Sequence, residues 1–253
     1  MNTWWCAIDR QWSSYSELKQ RAVVAQGWPG LGDLRSLLKF VPHDTEPFKA
    51  TIRSLGDRGY GWLPLWNEKD RESRRAPAVF WNLLNLERGD VIVGLEGATV
   101  RGVCQLPWAA RWGYRYDDRF HYAQAVGPVE WLDWDETRFG FTPTAPAQSV
   151  HGIKRLSGER QKVLDVWMER GNPATLSTQY WVDADVPTSA CVLHTEDCEL
   201  AKGDLRTGLK GVGELFRDGG WFLCGSLDTA KDLVDRIAKP LCIRAMTKCE
   251  RCH

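Results

Sequence analysis

Two pairs of potential metal ligands lie close together in the last part of the chain. His194 and Cys198 are spaced His-x3-Cys within HTEDC, and Cys249 and Cys252 are spaced Cys-x2-Cys within KCERCH. Zinc in structural sites takes four thiolate or imidazole ligands, which a protein supplies as two close pairs. The chemistry that these four side chains predict is therefore a closed, structural zinc site.

The sequence leaves different roles open for the same residues. Cys249, Cys252 and His253 also match the pattern of c-type haem attachment, which needs export to an oxidising compartment. Four unrelated buried side chains would show the same letters, and Cys191 and His253 are possible substitute ligands. The remaining cysteines lie in apolar sequence and are expected to be core thiols: Cys6, Cys104, Cys224 and Cys242.

The segment between the two pairs predicts a strand in GGWFLC and a helix in SLDTAKDLVDRIA. HTEDC, WFLCGSLDTA and CERC, in that order, resemble the small Cys/His zinc modules of the Ada metal-binding type. The resemblance covers residues 178–253 and implies a small zinc-stabilised α+β domain. Leu223 and Cys224 stand near the place where that family has Phe, and the spacer is longer.

Composition limits the classes of function. Lys plus Arg and Asp plus Glu each number 33, so the net charge is zero and a bulk polyanion binder is excluded. The start, MNTWWCAIDRQW, has neither a basic region nor a long apolar run, so we expect no secretory signal and no membrane partner. We therefore expect a cytoplasmic protein with reduced cysteines. The 14 tryptophans exceed what a core needs and leave some for stacking.

The elements ahead of the metal ligands predict a mixed α+β chain. WWCAI predicts a strand, SELKQRAVVAQ a helix and then a strand, and GDVIVGLEGATVRGVCQL a β-hairpin. Residues 122–134 predict one further strand. Residues 42–76 are polar and broken by Gly and Pro, and the charged run KDRESRRAP within them predicts a solvated loop or helix face. We expect domains at 1–140 and 178–253, joined by a linker and a helix over 141–177.

Three ordered pieces of residues 1–140 resemble the EVE-like branch of the PUA superfamily: GWPGLGDL, LERGDVIVGLEGATVRGVCQL and RFHYAQAVGPVEWLDW. Relatives of this type, which include YTH, SRA and ASCH modules, form small β-barrels with flanking helices. Many bind a modified nucleobase in an aromatic pocket, and EVE-like modules are often joined to restriction or other defence domains. The resemblance implies a reader of modified bases, with DNA as partner, RNA as a further possibility, and a nuclease or defence protein beside it.

Candidate residues exist for each step of base reading, which takes a base out of its stack and holds it against aromatic rings. Asp33 is also a candidate helix N-cap, and Trp28 a candidate packing residue. The expected base-binding residues are Trp28, Asp33, Trp81, Trp108 and Trp112. The expected phosphate-binding residues are Arg111, Arg115, Arg119 and His121.

Two other classes of function compete with base reading. A protein-interaction adaptor would use surface tryptophans to dock a partner. An enzyme, such as an ASCH-like nucleoside-modifying enzyme, needs a catalytic set, and the acidic cluster in PVEWLDWDE would be split between the two faces of a strand. A metal site with four protein ligands also lacks the open position that catalysis uses. We therefore expect a binding module.

Overall fold

The computed structural model describes residues 1–63, 66, 72–146, 152–171, 179–195, 198–204, 210–212, 215, 217–224, 227–238 and 246–252. The chain forms two compact units, Met1–Ala174 and Thr175–His253. Both units combine helices with sheets that contain parallel and antiparallel strand pairs, and this mixed architecture confirms the prediction of an α+β protein. Within these ranges no helix is long and apolar enough to cross a membrane.

A five-stranded sheet forms the centre of the first unit. Its strands, in the order β7-β4-β3-β1-β8, are Leu132–Asp133, Thr99–Gln105, Val91–Glu96, Thr3–Ile8 and Ile153–Arg155. β3 and β4 form the hairpin that the sequence predicts. β1 pairs in parallel with β3 and antiparallel with β8, so the first strand lies inside the sheet.

The side chains of β1 and β3 contribute to two hydrophobic cores, one on each face of the sheet. They do so because successive side chains of a strand point to opposite faces. Trp4 and Ile92 belong to the larger core, and Trp5, Val91 and Val93 to the smaller one. Both faces of the sheet are therefore covered, which explains why every residue of β3 is buried. Asp90 lies immediately before β3. Its carboxylate accepts a hydrogen bond from the Trp4 indole N–H at 2.8 Å, which connects this position to β1.

A second sheet of the first unit contains three strands in the order β2-β6-β5, which are Val24–Gln26, Gln124–Val126 and Tyr114–Tyr116. A closed barrel needs its first and last strands to pair. In the described part of this unit both sheets stay open, and the larger one ends in strands of two and three residues. The closed barrel that the resemblance implies is therefore not found among the described residues of this unit.

Helices pack around the two sheets of the first unit. They are α1 to α5: Tyr15–Gln20, Thr45–Tyr60, Glu72–Leu84, Glu136–Phe139 and Arg160–Arg170. α2 lies within the polar residues 42–76, for which the sequence predicts no helix of this length. It buries only a narrow stripe, Phe48, Ile52 and Gly56, which gives a weak apolar signal. α3 includes the last residues of the charged run KDRESRRAP, one of the two conformations predicted for that run.

The predicted strand over residues 122–134 is divided into β6 and β7 around a cis Gly127–Pro128 bond. The segment 141–177, predicted as a linker and a helix, contains β8 and α5, and both pack within the first unit. Phe141 likewise packs in the smaller core. Residues 147–151 and 172–178 of that segment lie outside the described residues.

The second unit has a five-stranded sheet in the order β11-β12-β9-β10-β13. These strands are Gly211–Val212, Gly219–Cys224, Tyr180–Asp185, Ala190–Thr195 and Met246–Lys248. Two helices accompany it, α6 at Glu199–Asp204 and α7 at Leu227–Ala238. One face of the sheet packs on α7 through residues such as Val182, Cys191 and Val234. The other face bears His194.

Candidate metal centre and candidate base-binding turn

Strand pairing brings the two predicted ligand pairs together. β13 runs parallel to β10, and Leu193 is in register with Lys248. Cys249, the next residue, donates its backbone N–H to the Leu193 carbonyl at 2.9 Å. The Cys-x2-Cys turn therefore begins beside His194, although the two segments are more than 50 residues apart in the sequence.

Cys198 lies at the start of α6. Burial raises the pKa of its thiol, but backbone N–H groups of Ala201 and Leu200 and the neighbouring cysteines outweigh burial, so the net pKa is lowered. Exposed amides at a helix N-terminus stabilise a thiolate in this way. Burial and the Cys198 contact raise the pKa of Cys252 to about 11. The surroundings of the cluster therefore favour the thiolate form more at Cys198 than at Cys252.

The four predicted ligands form one compact group, the Cys/His cluster, consisting of His194, Cys198, Cys249 and Cys252. Their ligand atoms all lie within 4.8 Å of one another. His194 Nδ1 lies 3.2 Å from Cys198 Sγ and 4.0 Å from Cys252 Sγ, and the Sγ atoms of Cys198 and Cys249 are 3.9 Å apart. Three of the four residues are buried. This group could hold a metal ion.

The substitute ligand Cys191 lies away from the cluster. Its side chain packs in the core on the α7 side of the sheet, and burial raises its pKa to about 11. Cys6 and Cys224 are also buried thiols, with pKa values raised by burial to about 12 and about 11. Burial likewise raises the pKa of Cys104. His253 and Cys242 lie outside the described residues.

An ion-pair group and two indoles lie on the same sheet face as the cluster. Trp221 stands 5.3 Å from the His194 ring, between ring centroids, and 6.5 Å from Trp181. Lys210 Nζ contacts Asp183 at 2.6 Å and Asp185 at 2.8 Å. Burial raises the pKa of Asp183 against the effect of Lys210. The surroundings of His194 are therefore aromatic, with their charges paired.

Residues 27–34, which we call the Trp28 turn, contain two of the predicted base-binding residues, Trp28 and Asp33. Trp28 has φ 66°, a left-handed conformation that is costly for a residue with a Cβ. Its half-buried ring packs edge-on against Tyr60, at 4.8 Å between centroids, and against Trp66, at 5.4 Å. Trp28 thus makes the contacts expected of a packing residue, and its ring also remains partly accessible to a ligand.

Asp33 ends the Trp28 turn with an exposed carboxylate. Its Oδ1 accepts the Arg35 N–H at 2.8 Å, and Arg35 forms an ion pair with it at 3.7 Å. A 3-10 helix, Arg35–Phe40, follows. Leu34, and not Asp33, is the N-cap residue of this helix, so the predicted capping role of Asp33 is wrong by one position. The Asp33 carboxylate still accepts from the first helical N–H, and 39% of its side-chain surface remains accessible to a ligand.

The other three predicted base-binding tryptophans have different neighbours. Trp81 lies on α3, half-buried, 5.3 Å from the Phe48 ring. Trp108 packs beside Gly113, and its buried indole nitrogen has no acceptor among the described residues. Trp112 lies under the Arg111 guanidinium at 5.0 Å. None of these contacts joins them to Trp28, so the candidate site is centred on Trp28 and Asp33.

Two of the predicted phosphate-binding cations already have carboxylate partners. Arg111 forms an ion pair with Glu87 at 2.7 Å. Arg119 donates two hydrogen bonds to the Asp117 carboxylate, at 2.8 and 2.6 Å. Arg119 lowers the pKa of Asp117 to about 2. A phosphate would therefore have to compete for Arg111 and Arg119.

The other two predicted phosphate-binding residues are exposed. Arg115 lies on β5, and His121 stacks on Trp12 at 4.2 Å, with the rings almost parallel. Partial burial lowers the pKa of His121, so the ring is mostly neutral at neutral pH. Arg115 is therefore the better candidate for a phosphate contact.

Sequence reasoning missed four residues that hold the Trp28 turn: Tyr60, Tyr114, Tyr116 and Gln124. Tyr60 accepts the Gly30 N–H, and the Tyr116 hydroxyl donates to the Pro29 carbonyl at 2.9 Å. The i, i+2 spacing of Tyr114 and Tyr116 puts both rings on one face of β5. This spacing is the sequence signal by which Tyr114 and Tyr116 could have been identified.

A separate groove of about 580 Å³ lies between α1, β4 and β7. Lys19 contacts both oxygens of Asp133 at 2.8 Å, and the Tyr15 hydroxyl donates to the same carboxylate at 2.9 Å. Burial, and then Asp133, raise the pKa of Tyr15. These three polar side chains of the groove therefore satisfy one another.

No family model, curated protein or solved structure matches the chain.

Proposed function

We propose that the Cys/His cluster binds one structural zinc ion. Tetrahedral zinc with Zn–S bonds of about 2.3 Å needs sulfur atoms about 3.8 Å apart. The separation of Cys198 Sγ and Cys249 Sγ, 3.9 Å, agrees with that requirement. Three thiolates and one imidazole complete the coordination of zinc, so the ion would supply folding energy to the second unit.

Elemental analysis of purified protein tests the zinc proposal. We expect one zinc per chain, and none in Cys249→Ser, because that variant loses a ligand atom. Cys191→Ser is the matched control: it changes a buried cysteine that lies outside the cluster and should keep its zinc. Parent protein without zinc, or a Cys249→Ser variant with a full equivalent, would contradict the proposal.

We propose that the first unit reads modified bases in nucleic acid, with DNA as its partner and a nuclease or defence protein acting beside it. The observation that carries the proposal is the Trp28 turn, where a half-buried tryptophan in a strained backbone lies close in sequence to an exposed carboxylate. Strained residues cluster at binding sites. An indole face and an acceptor for base N–H groups are the two parts that base reading requires.

The energetics suit a neutral protein. Extruding a base costs a few kcal/mol, and less when the base is mismatched, damaged or already single-stranded. Stacking on an aromatic ring returns roughly 1–3 kcal/mol per base. Recognition through a ring and a base edge thus needs few phosphate contacts, which agrees with a net charge of zero and with ion pairs at Arg111 and Arg119.

A panel of matched oligonucleotides tests this proposal. Duplex DNA and RNA carrying 6-methyladenine, modified cytosines or no modification are titrated against the parent protein and Trp28→Ala. We expect at least one modified duplex to bind more tightly, and Trp28→Ala to lose roughly tenfold or more in its affinity. Trp134→Ala, which removes a half-buried ring stacked on Phe139, is the control. Equal binding of all oligonucleotides, or unchanged binding by Trp28→Ala, would refute base reading.

A protein-interaction adaptor is the second candidate function. Trp62 is 76% exposed and Trp12 44% exposed, more than an isolated domain requires of such large rings. Trp62→Ala separates the two functions. An adaptor would lose its protein partner in this variant, whereas a reader centred on Trp28 would keep its preference among the oligonucleotides.

A further inference from the structure

A relay of buried hydrogen bonds links the two sides of Asp33. The Leu34 N–H donates to Tyr114 Oη at 2.8 Å, and that hydroxyl donates to Gln124 Oε1 at 2.5 Å. Gln124 Nε2 then donates to the Gly32 carbonyl at 2.9 Å. The relay starts at the residue after Asp33 and returns to the residue before it, so the backbone is held on both sides of the carboxylate.

Burial makes this relay cooperative. Gln124 is 0% exposed and Tyr114 is 8% exposed. If one bond of the relay opens, a buried amide or hydroxyl is left without a partner, which is more costly than the loss of the bond alone. Burial raises the pKa of Tyr114, so its hydroxyl keeps the proton that it donates. The relay therefore has one stable arrangement.

The relay holds a turn that would not keep its shape alone. Trp28 has φ 66° and Gly32 has φ 72° with ψ −168°. Such conformations persist only where the surrounding structure imposes them. Tyr60 and Tyr116 hold the first half of the turn through Gly30 and Pro29, and the relay holds the second half.

We infer that Tyr114 and Gln124 are positioning residues, which set the Asp33 carboxylate and the Trp28 ring in the geometry that selects a base. This inference rests on the proposed base-reading function. The ligand that Trp28 and Asp33 fit is a base with an exocyclic N–H, as in adenine or cytosine. A carboxylate can only accept hydrogen bonds, so the base must supply the donor. Preorganisation of this kind should act on selectivity, since a loose turn would accommodate the wrong base.

Tyr114→Phe and Gln124→Leu test the inference in the full-length protein. The first removes one hydroxyl, and the second removes both hydrogen bonds of the amide. Amide hydrogen exchange of residues 28–35 is measured without nucleic acid, and the affinity ratio of the preferred modified duplex to its unmodified match is measured beside it. We expect exchange to rise and the ratio to fall, each by roughly tenfold or more, because each variant removes two hydrogen bonds of the relay.

Tyr15→Phe is the matched control, because it removes a buried hydroxyl bonded to Asp133, away from the turn. It should leave the exchange of residues 28–35 and the affinity ratio at parent values, even if its melting temperature falls as far as that of Tyr114→Phe. Unchanged exchange in both test variants would overturn the inference. Faster exchange with an unchanged affinity ratio would overturn it as well. If the parent protein distinguishes no duplex, base reading itself fails, and the exchange data still decide whether the relay holds the turn.

Discussion

At the scale of single residues, left-handed backbone marks positions where the fold overrides local preference. Among the described residues other than glycine, Ala22, Trp28 and Ser189 have positive φ. Ala22 follows α1, at a place where glycine commonly ends a helix. Its carbonyl accepts the Val129 N–H at 2.8 Å, so pairing with a distant segment holds this conformation. Trp28 differs because its ring adds contacts with Tyr60 and Trp66.

Ala22→Gly should therefore stabilise the first unit. Ala22 has φ 53°, and glycine removes the steric cost of that conformation. The gain is partly offset by the greater freedom of glycine in the unfolded chain, which leaves about 0.5–1 kcal/mol. Urea denaturation measures the free energy of unfolding. Ala25→Gly, in the buried strand β2, is the control and should be destabilising; a loss of stability in Ala22→Gly would contradict the prediction.

At the scale of elements, α2 and the Trp28 turn approach each other through glycines. A Cβ at Gly59 would lie 2.6 Å from the Gly30 carbonyl oxygen, and one at Gly56 would lie 1.8 Å from the Trp66 ring. Glycine lowers the helix propensity of α2 at these two positions. Because it has no Cβ, the Gly30 backbone and the Trp66 indole can pack closely against the helix. The same helix end carries Tyr60, which accepts a hydrogen bond from the turn.

Gly59→Ala should lower stability although alanine is the better helix former. Alanine favours a helix by about 1 kcal/mol over glycine. The new methyl group must displace the Gly30 backbone, so we expect a net loss of about 1–3 kcal/mol. Ser54→Ala, at an exposed position of α2, should instead be neutral or slightly stabilising. Equal effects of the two substitutions in chemical denaturation would show that the close approach does not matter.

At the scale of the whole molecule, each compact unit has its own hydrophobic core. The first unit has cores on both faces of its five-stranded sheet, and the second has a smaller core between its sheet and α7. A unit of this small size has limited apolar area to bury, and a metal at the Cys/His cluster would add to its stability.

Calorimetry with and without a strong chelator should separate the two units. We expect two unfolding transitions in the native protein, because each unit has its own core and a chain of two domains commonly departs from a single two-state transition. Removal of the metal should shift or abolish one transition and leave the other within a degree or so, since metal binding stabilises only the folded unit that holds it. A single transition that moves as a whole on chelation would contradict independent unfolding.

Local patterns predicted much of this molecule. The β3–β4 hairpin, the helix α7 and the Cys/His cluster all follow from spacing and periodicity over short segments. The parallel pairing of β1 with β3 and the relay around Asp33 were not predictable, because each joins residues about 90 positions apart. The Trp28 conformation is likewise imposed by distant contacts, and no local propensity favours it.

The interior position of β1, between β3 and β8, has a consequence for synthesis on the ribosome. Residues 3–8 need partners from residues 91–96 and 153–155. At about 5–20 residues per second, the last partner follows the first strand by roughly 8–30 s. Throughout that interval the rings of Trp4 and Trp5 have no completed sheet to enter. The first unit is therefore expected to complete its sheet only after β8 has been synthesised, with the β1 segment exposed until then.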